Sequence, residues 1–117
     1  MKRDLGLLLD EVLENIKLIE ESLYKIKKEE FLKNRLLQDA TIHRIEIIGE
    51  AIKNIPRDIK EKNSEIDWKK IIGARDKMIH HYFGVDLNIV WDIIKIDIFD
   101  LRLKILKIKN GLECNRC

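Results

Sequence analysis

Apolar residues recur along the start of the chain at Leu5, Leu9, Val12, Ile16, Ile19, Leu23 and Ile26, in steps of 4-3-4-3-4-3. A stripe of that period lays one face of an α-helix against a core, and Glu21 and Lys25 add a favourable i,i+4 pair on the far face. The polar run Lys27-Lys28-Glu29-Glu30 predicts a connection, and a second helix is expected from about Glu30 to Asn54. Its buried side is predicted to be Leu37, Thr41, Ile45, Ile48, Ile52 and Ile55, and Pro56 stops it because the pyrrolidine ring cannot continue the hydrogen-bond ladder. Residues 56–66 read as a short turn of helix and a polar loop. Asp67 is the expected N-cap of a third main helix that begins at Trp68, carries Ile71, Ile72, Arg75, Met78 and Ile79, and loosens near His80–Tyr82 before Gly84. Asp86 or Asn88 caps the last helix, whose stripe of Leu87, Trp91, Ile94, Ile98, Leu101, Ile105 and Ile108 again steps 4-3-4-3-4-3.

Two long heptad helices on a chain of 117 residues imply packing at about 20°, hence an all-α, up-and-down helical bundle of four to five helices. Residues 1–110 are expected to form the single domain and 111–117 a flexible tail. The first and last helices offer more apolar surface than one small bundle covers, which predicts a homodimer.

Charged residues make up 38% and hydrophobic residues 45%, with one proline, so the composition suits long amphipathic helices rather than a sandwich or barrel. The net charge of +2 does not mark a nucleic-acid binder. Locally, however, Lys69, Lys70, Arg75 and Lys77 face the single acid Asp76 between Lys69 and Tyr82. Arg102, Lys104, Lys107 and Lys109 form a second basic run, read as a solvated helix face. No stretch reaches the roughly 20 apolar residues of a membrane span. Asp10, Glu11 and Glu14 interrupt any signal-peptide core, so the start is read as helix and the expected compartment is the cytoplasm. The two cysteines, Cys114 and Cys117, are too few for a zinc site and fall in the expected tail.

Histidine is the side chain best suited to moving protons near neutral pH. His43 shares a helix face with Asp39, Glu46 and Glu50, at spacings of 4, 3 and 4. A carboxylate-bridged metal site would need a second such cluster, and none exists, so a polar seam is the expected reading. His80, His81 and Tyr82 follow Arg75 by five to seven residues. On an unbroken helix Arg75 and His80 would lie about 140° apart, so bringing both onto one ligand needs side-chain reach or a helix end near His80. No Gly-rich phosphate loop is present, which excludes a P-loop or dinucleotide crevice.

Arg75-x4-His80-x-Tyr82 resembles the Arg-x(4–6)-His-x-Tyr motif of HEPN domains. The flanks resemble the HepT-like toxin branch: Asp39-Ala-x-x-His-Arg-Ile-Glu-Ile-Ile-Gly49-Glu50-Ala on the second helix, Trp68 and Ile72-Gly-Ala-Arg75 before the motif, and Tyr82-Phe-Gly-Val-Asp-Leu-Asn-Ile-Val-Trp91 after it. Phe83 stands where a tyrosine would follow His81, so His80 fits the motif better. The resemblance implies a HEPN-like bundle and a metal-independent endoribonuclease toxin of a type VII-like toxin–antitoxin pair, needing no cofactor. Arg75 and His80 would be its catalytic residues, with Asp39, Glu50 and His81 in support. It also implies homodimers and a minimal nucleotidyltransferase antitoxin that transfers AMP to Tyr82.

The residue types suit that chemistry. RNA supplies its own nucleophile in the 2′-hydroxyl, a histidine can move the protons, and an arginine can hold the charged phosphate. One histidine per chain supplies half of an acid–base pair, so a two-fold dimer bringing two Arg75/His80 pairs into one cleft would complete it. The competing expectation is a non-catalytic module of the same fold that binds a nucleotidyltransferase.

Overall fold

A computed structural model of the chain describes residues 4–80 and 86–115, and of residues 77–80 and 113–115 it describes the backbone alone. The described residues are mostly helical, with no strand among them. Helix α1 (Leu5–Ser22) starts where the Asp4 carboxylate accepts from the Gly6 N–H at 2.7 Å. Its predicted stripe is the buried one, with Leu9, Val12 and Ile16 fully enclosed. The helix stops at Ser22 rather than running to Ile26, because the chain turns through Lys25 in the left-handed region at φ 60°. Ile26 still packs against the core from outside the helix.

The predicted second helix is two helices. Helix α2 (Lys28–Lys33) and α3 (Arg35–Lys53) are separated at Asn34, whose extended backbone breaks the ladder. Its side chain accepts from the Leu37 N–H at 3.0 Å and so caps the new start. The break turns Phe31 into the core, where it is fully buried with its ring centroid 5.3 Å from that of Trp91. The Gln38 side chain closes the corner by donating to the Phe31 carbonyl at 2.9 Å. Thr41, Ile45, Ile48, Ile52 and Ile55 are buried as expected. The Thr41 hydroxyl donates to the Leu37 carbonyl at 2.7 Å, so its burial leaves no unmet donor.

After Pro56 comes the short helix α4 (Arg57–Lys62), and then α5 (Trp68–His80). The Asp67 carboxylate accepts from the Lys70 N–H at 3.0 Å, and the Trp68 indole donates to the carbonyls of Lys60 and Asn63. The last rod is α6 (Leu87–Asp92), a π-helical stretch (Ile93–Ile98) and α7 (Phe99–Asn115). Of the two candidate caps, Asp86 is the one used, accepting from the Asn88 N–H at 2.9 Å.

Helix α1 packs on α3 and on α7, and α3 packs on α5. Ion pairs of Glu20 with Arg102 and of Asp10 with Lys109 show α1 and α7 running antiparallel. Lys70 to Asp97 at 3.1 Å, and Lys104 to the Glu65 carbonyl at 3.0 Å, join the start of α5 to the rod. The apolar surplus lies mainly on the rod. Ile89, Ile96 and Leu103, spaced by seven, and Phe99 are all about half exposed or more. No helix among the described residues is long and apolar enough to cross a membrane.

Phe31 anchors the corner that separates α2 from α3. Phe31→Ala is expected to lower the unfolding free energy by about 3–5 kcal/mol. Leu36→Ala, at a position 83% exposed, is expected to change it by no more than about 0.5 kcal/mol. Urea denaturation of the two variants checks both values.

Candidate active site at the α3–α5 crossing

Arg75 lies on the side of α5 that meets α3, and its side chain is 19% exposed. The contact is close because position 49 is glycine. A Cβ built on Gly49 would stand 2.3 Å from Cβ and 2.4 Å from Cγ of Arg75, inside any tolerable van der Waals separation. The stem of the arginine therefore occupies the volume a side chain at 49 would need.

The guanidinium emerges at the edge of this crossing between two carboxylates. Nη2 donates to Glu50 Oε2 at 2.7 Å and Nη1 donates to Asp76 Oδ1 at 2.9 Å. Nε is covered and meets no partner among the described residues. Both carboxylates are about half exposed, so the pairs are partly screened by water and contribute modestly to stability. Two anionic groups around one cation leave a local charge of −1, and the two bonds they make use two of the five guanidinium N–H donors.

The other residues singled out by the sequence are placed differently. Asp39 pairs with Arg35 Nε at 4.0 Å, eleven residues from Glu50 and so about 16 Å away along α3. The two proposed supporting acids thus sit at different levels of the bundle. His43 is exposed and Glu46 partly so. Among the described residues no three His, Cys, Asp or Glu side chains converge as a metal ion requires. Two of the acids in the Asp39–Glu50 stripe instead face arginines. The backbone of His80 closes α5, while its side chain, His81 and Tyr82 lie outside the described residues.

Asp76 and the role of Gly49 were not legible as site features. The available signal for Gly49 was a glycine inside an otherwise strong helix, where it costs about 1 kcal/mol relative to alanine and so points to a packing requirement.

The family model described as "Ribonuclease HepT-like" matches residues 12–108. A protein of Methanocaldococcus jannaschii, whose name joins a gamma-glutamylcyclotransferase to a candidate RNase, is 46% identical over 116 residues. That match covers 99% of this chain and 52% of the relative, so the chain spans about half of that protein's length. A Thermococcus cleftensis protein named as a probable ribonuclease HepT is 45% identical over 109 residues, covering 93% of this chain and 99% of the relative. A Caldanaerobacter subterraneus protein named as a candidate RNase is 40% identical over 100 residues, covering 86% and 89%. No solved structure matches the chain.

If the polar stripe is a surface seam, His43→Ala is expected to leave the unfolding free energy within about 0.5 kcal/mol of the parent. A loss above 1 kcal/mol in urea denaturation would instead require a buried partnership for this histidine.

Proposed function

The chain belongs to the HepT-like ribonuclease family, and from that premise we propose that it is a metal-independent endoribonuclease acting as the toxin of a toxin–antitoxin pair. The observation that carries the reading is Arg75, a guanidinium held at the surface between α3 and α5 by a buried stem and two ion pairs. Such a group can grip a scissile phosphate and stabilise the extra charge of a pentacoordinate transition state. His80, on the same helix, is assigned the proton transfers. The 2′-oxygen attacks phosphorus as its proton leaves to a base, and the bond to the 5′-oxygen breaks as that oxygen gains a proton. The products are a 2′,3′-cyclic phosphate and a 5′-hydroxyl.

Acid and base are both needed, and the proposal draws them from two chains of a homodimer. The exposed Ile89, Ile96, Phe99 and Leu103 of the rod support such a dimer, because exposed large apolar side chains gathered on one element favour burial against a partner. The proposed antitoxin is a minimal nucleotidyltransferase that attaches AMP to Tyr82. The added phosphate and bulk would compete with RNA for Arg75 and block access to it.

Arg75→Ala and His80→Ala are each expected to slow cleavage of an RNA oligonucleotide by about 10²-fold or more without loss of helical content. Wild-type rates in both variants would end the ribonuclease assignment. Cleavage by the parent is expected to persist in EDTA, and a strict metal requirement would contradict the mechanism. Ile96→Lys is expected to shift the protein from dimer to monomer in light scattering and to reduce cleavage with it. An unchanged dimer would place the interface elsewhere. Mass spectrometry after co-expression with the antitoxin is expected to find AMP on Tyr82, and modification of another residue would displace that assignment.

A further inference from the structure

The hydrogen bonds around Arg75 are unevenly distributed. A guanidinium has a side-on fork, formed by Nε–H and the neighbouring Nη2–H, that matches a carboxylate or phosphate in two parallel bonds. Glu50 accepts from Nη2, one arm of that fork, with a single bond, and the other arm, Nε, is left covered and unpartnered among the described residues. Asp76 takes Nη1 on the other side. A ligand with two suitably spaced oxygens could bind the same fork better than Glu50 does. Glu50 is half exposed, so its carboxylate can swing into water at little cost.

We propose that Gly49 and Glu50 of α3 are positioning residues for Arg75. Gly49 admits the arginine stem into the helix crossing, and Glu50 caps the side-on fork until an RNA phosphate displaces it. This inference rests on the reading of Arg75 as a phosphate-binding group and adds how that group is held and released. The stem is confined by contact. With the Gly49 Cα beneath its Cβ and Cγ, Arg75 cannot slide along α3, and an alanine at 49 would force the two helices apart. The head is confined by charge. In the free protein Glu50 keeps it aimed along one direction, and the incoming phosphate inherits that direction together with the vacant Nε–H. The cap opposes binding, because a carboxylate beside the phosphate site repels the phosphate it must yield to.

The test compares binding with turnover. Binding is read with an RNA oligonucleotide whose 2′-hydroxyls are replaced by hydrogen, so that it cannot be cut, and turnover with the matching RNA. Glu50→Gln keeps the size of the side chain and removes its charge. It is expected to bind the uncleavable oligonucleotide about three- to tenfold more tightly than the parent, as expected for removing a repulsive charge some 6 Å away in partly screened surroundings. Its kcat is expected to stay near that of the parent, because the phosphate has already displaced Glu50 from the head in the bound complex, and the melting temperature is expected to stay near it too. A purely structural role for Glu50 would not tighten binding while leaving turnover and melting unchanged.

Gly49→Ala is expected to weaken binding and lower kcat together. Gly111→Ala, another glycine in a helix, meets nothing within 4 Å of an added Cβ and is expected to leave both unchanged. Binding by Glu50→Gln that is unchanged or weaker, while Arg75→Ala binds less tightly than the parent, overturns the cap alone. Equal binding by the parent and Arg75→Ala instead overturns the phosphate-site reading beneath it. Parent-like binding and turnover in Gly49→Ala overturns the positioning role of the glycine.

Discussion

Where α5 crosses α3, the stem of one arginine fills the space that any side chain at position 49 would require, and this contact sets the terms for the site around it. Neither helix could come so close with a larger residue there. The neighbours of Gly49 on α3, Ile48, Ala51 and Ile52, are fully buried and fix the helix in the core. Arg75 is therefore trapped by packing at its base and by Glu50 and Asp76 at its head. A long, flexible, charged side chain would otherwise sample many directions at considerable entropy cost when it binds a ligand. Here most of that restriction is present before any ligand arrives, which is the kind of preorganisation a phosphate-binding group needs.

The remainder of the bundle serves this crossing. Antiparallel contacts of α1 with α7 hold one side of α3, and the ties from Lys70 to Asp97 and from Lys104 to Glu65 hold the start of α5 against the rod. The rod leaves Ile89, Ile96 and Leu103 outward. The same chain thus combines a rigid arginine site with an uncovered apolar seam, the two features that a ribonuclease site completed by a second copy would require.

Much of this organisation could be read from residue spacing. The stripe of α1 is followed closely by the buried residues, and that of the rod from Ile94 onward, whereas before it Val90 is buried and the predicted Leu87 and Trp91 are only partly so. The caps at Asp67 and Asp86 were legible because short acidic side chains bond the nearby backbone. The break at Asn34 was not, since the residues around it are good helix formers and mask the cap that Asn34 provides, while the burial of Phe31 depends on the tertiary fold. The π-helical stretch was not legible, because its wider turn moves the buried position before it from the predicted Trp91 to Val90, giving steps of four at Val90, Ile94 and Ile98. At the site, Arg75 stood out by residue type and motif spacing. Its partner Glu50 is twenty-five residues away and the critical Gly49 twenty-six, a relation that depends on how two helices cross and that local periodicity does not encode.

The measurement that tests the central claim most directly is the chemistry of the RNA ends produced by the purified protein in EDTA. Attack by the 2′-hydroxyl on a phosphate held by Arg75 predicts 2′,3′-cyclic phosphate and 5′-hydroxyl termini, lost in Arg75→Ala. Termini bearing 5′-phosphate and 3′-hydroxyl, or cleavage that appears only when a divalent metal is added, would contradict it.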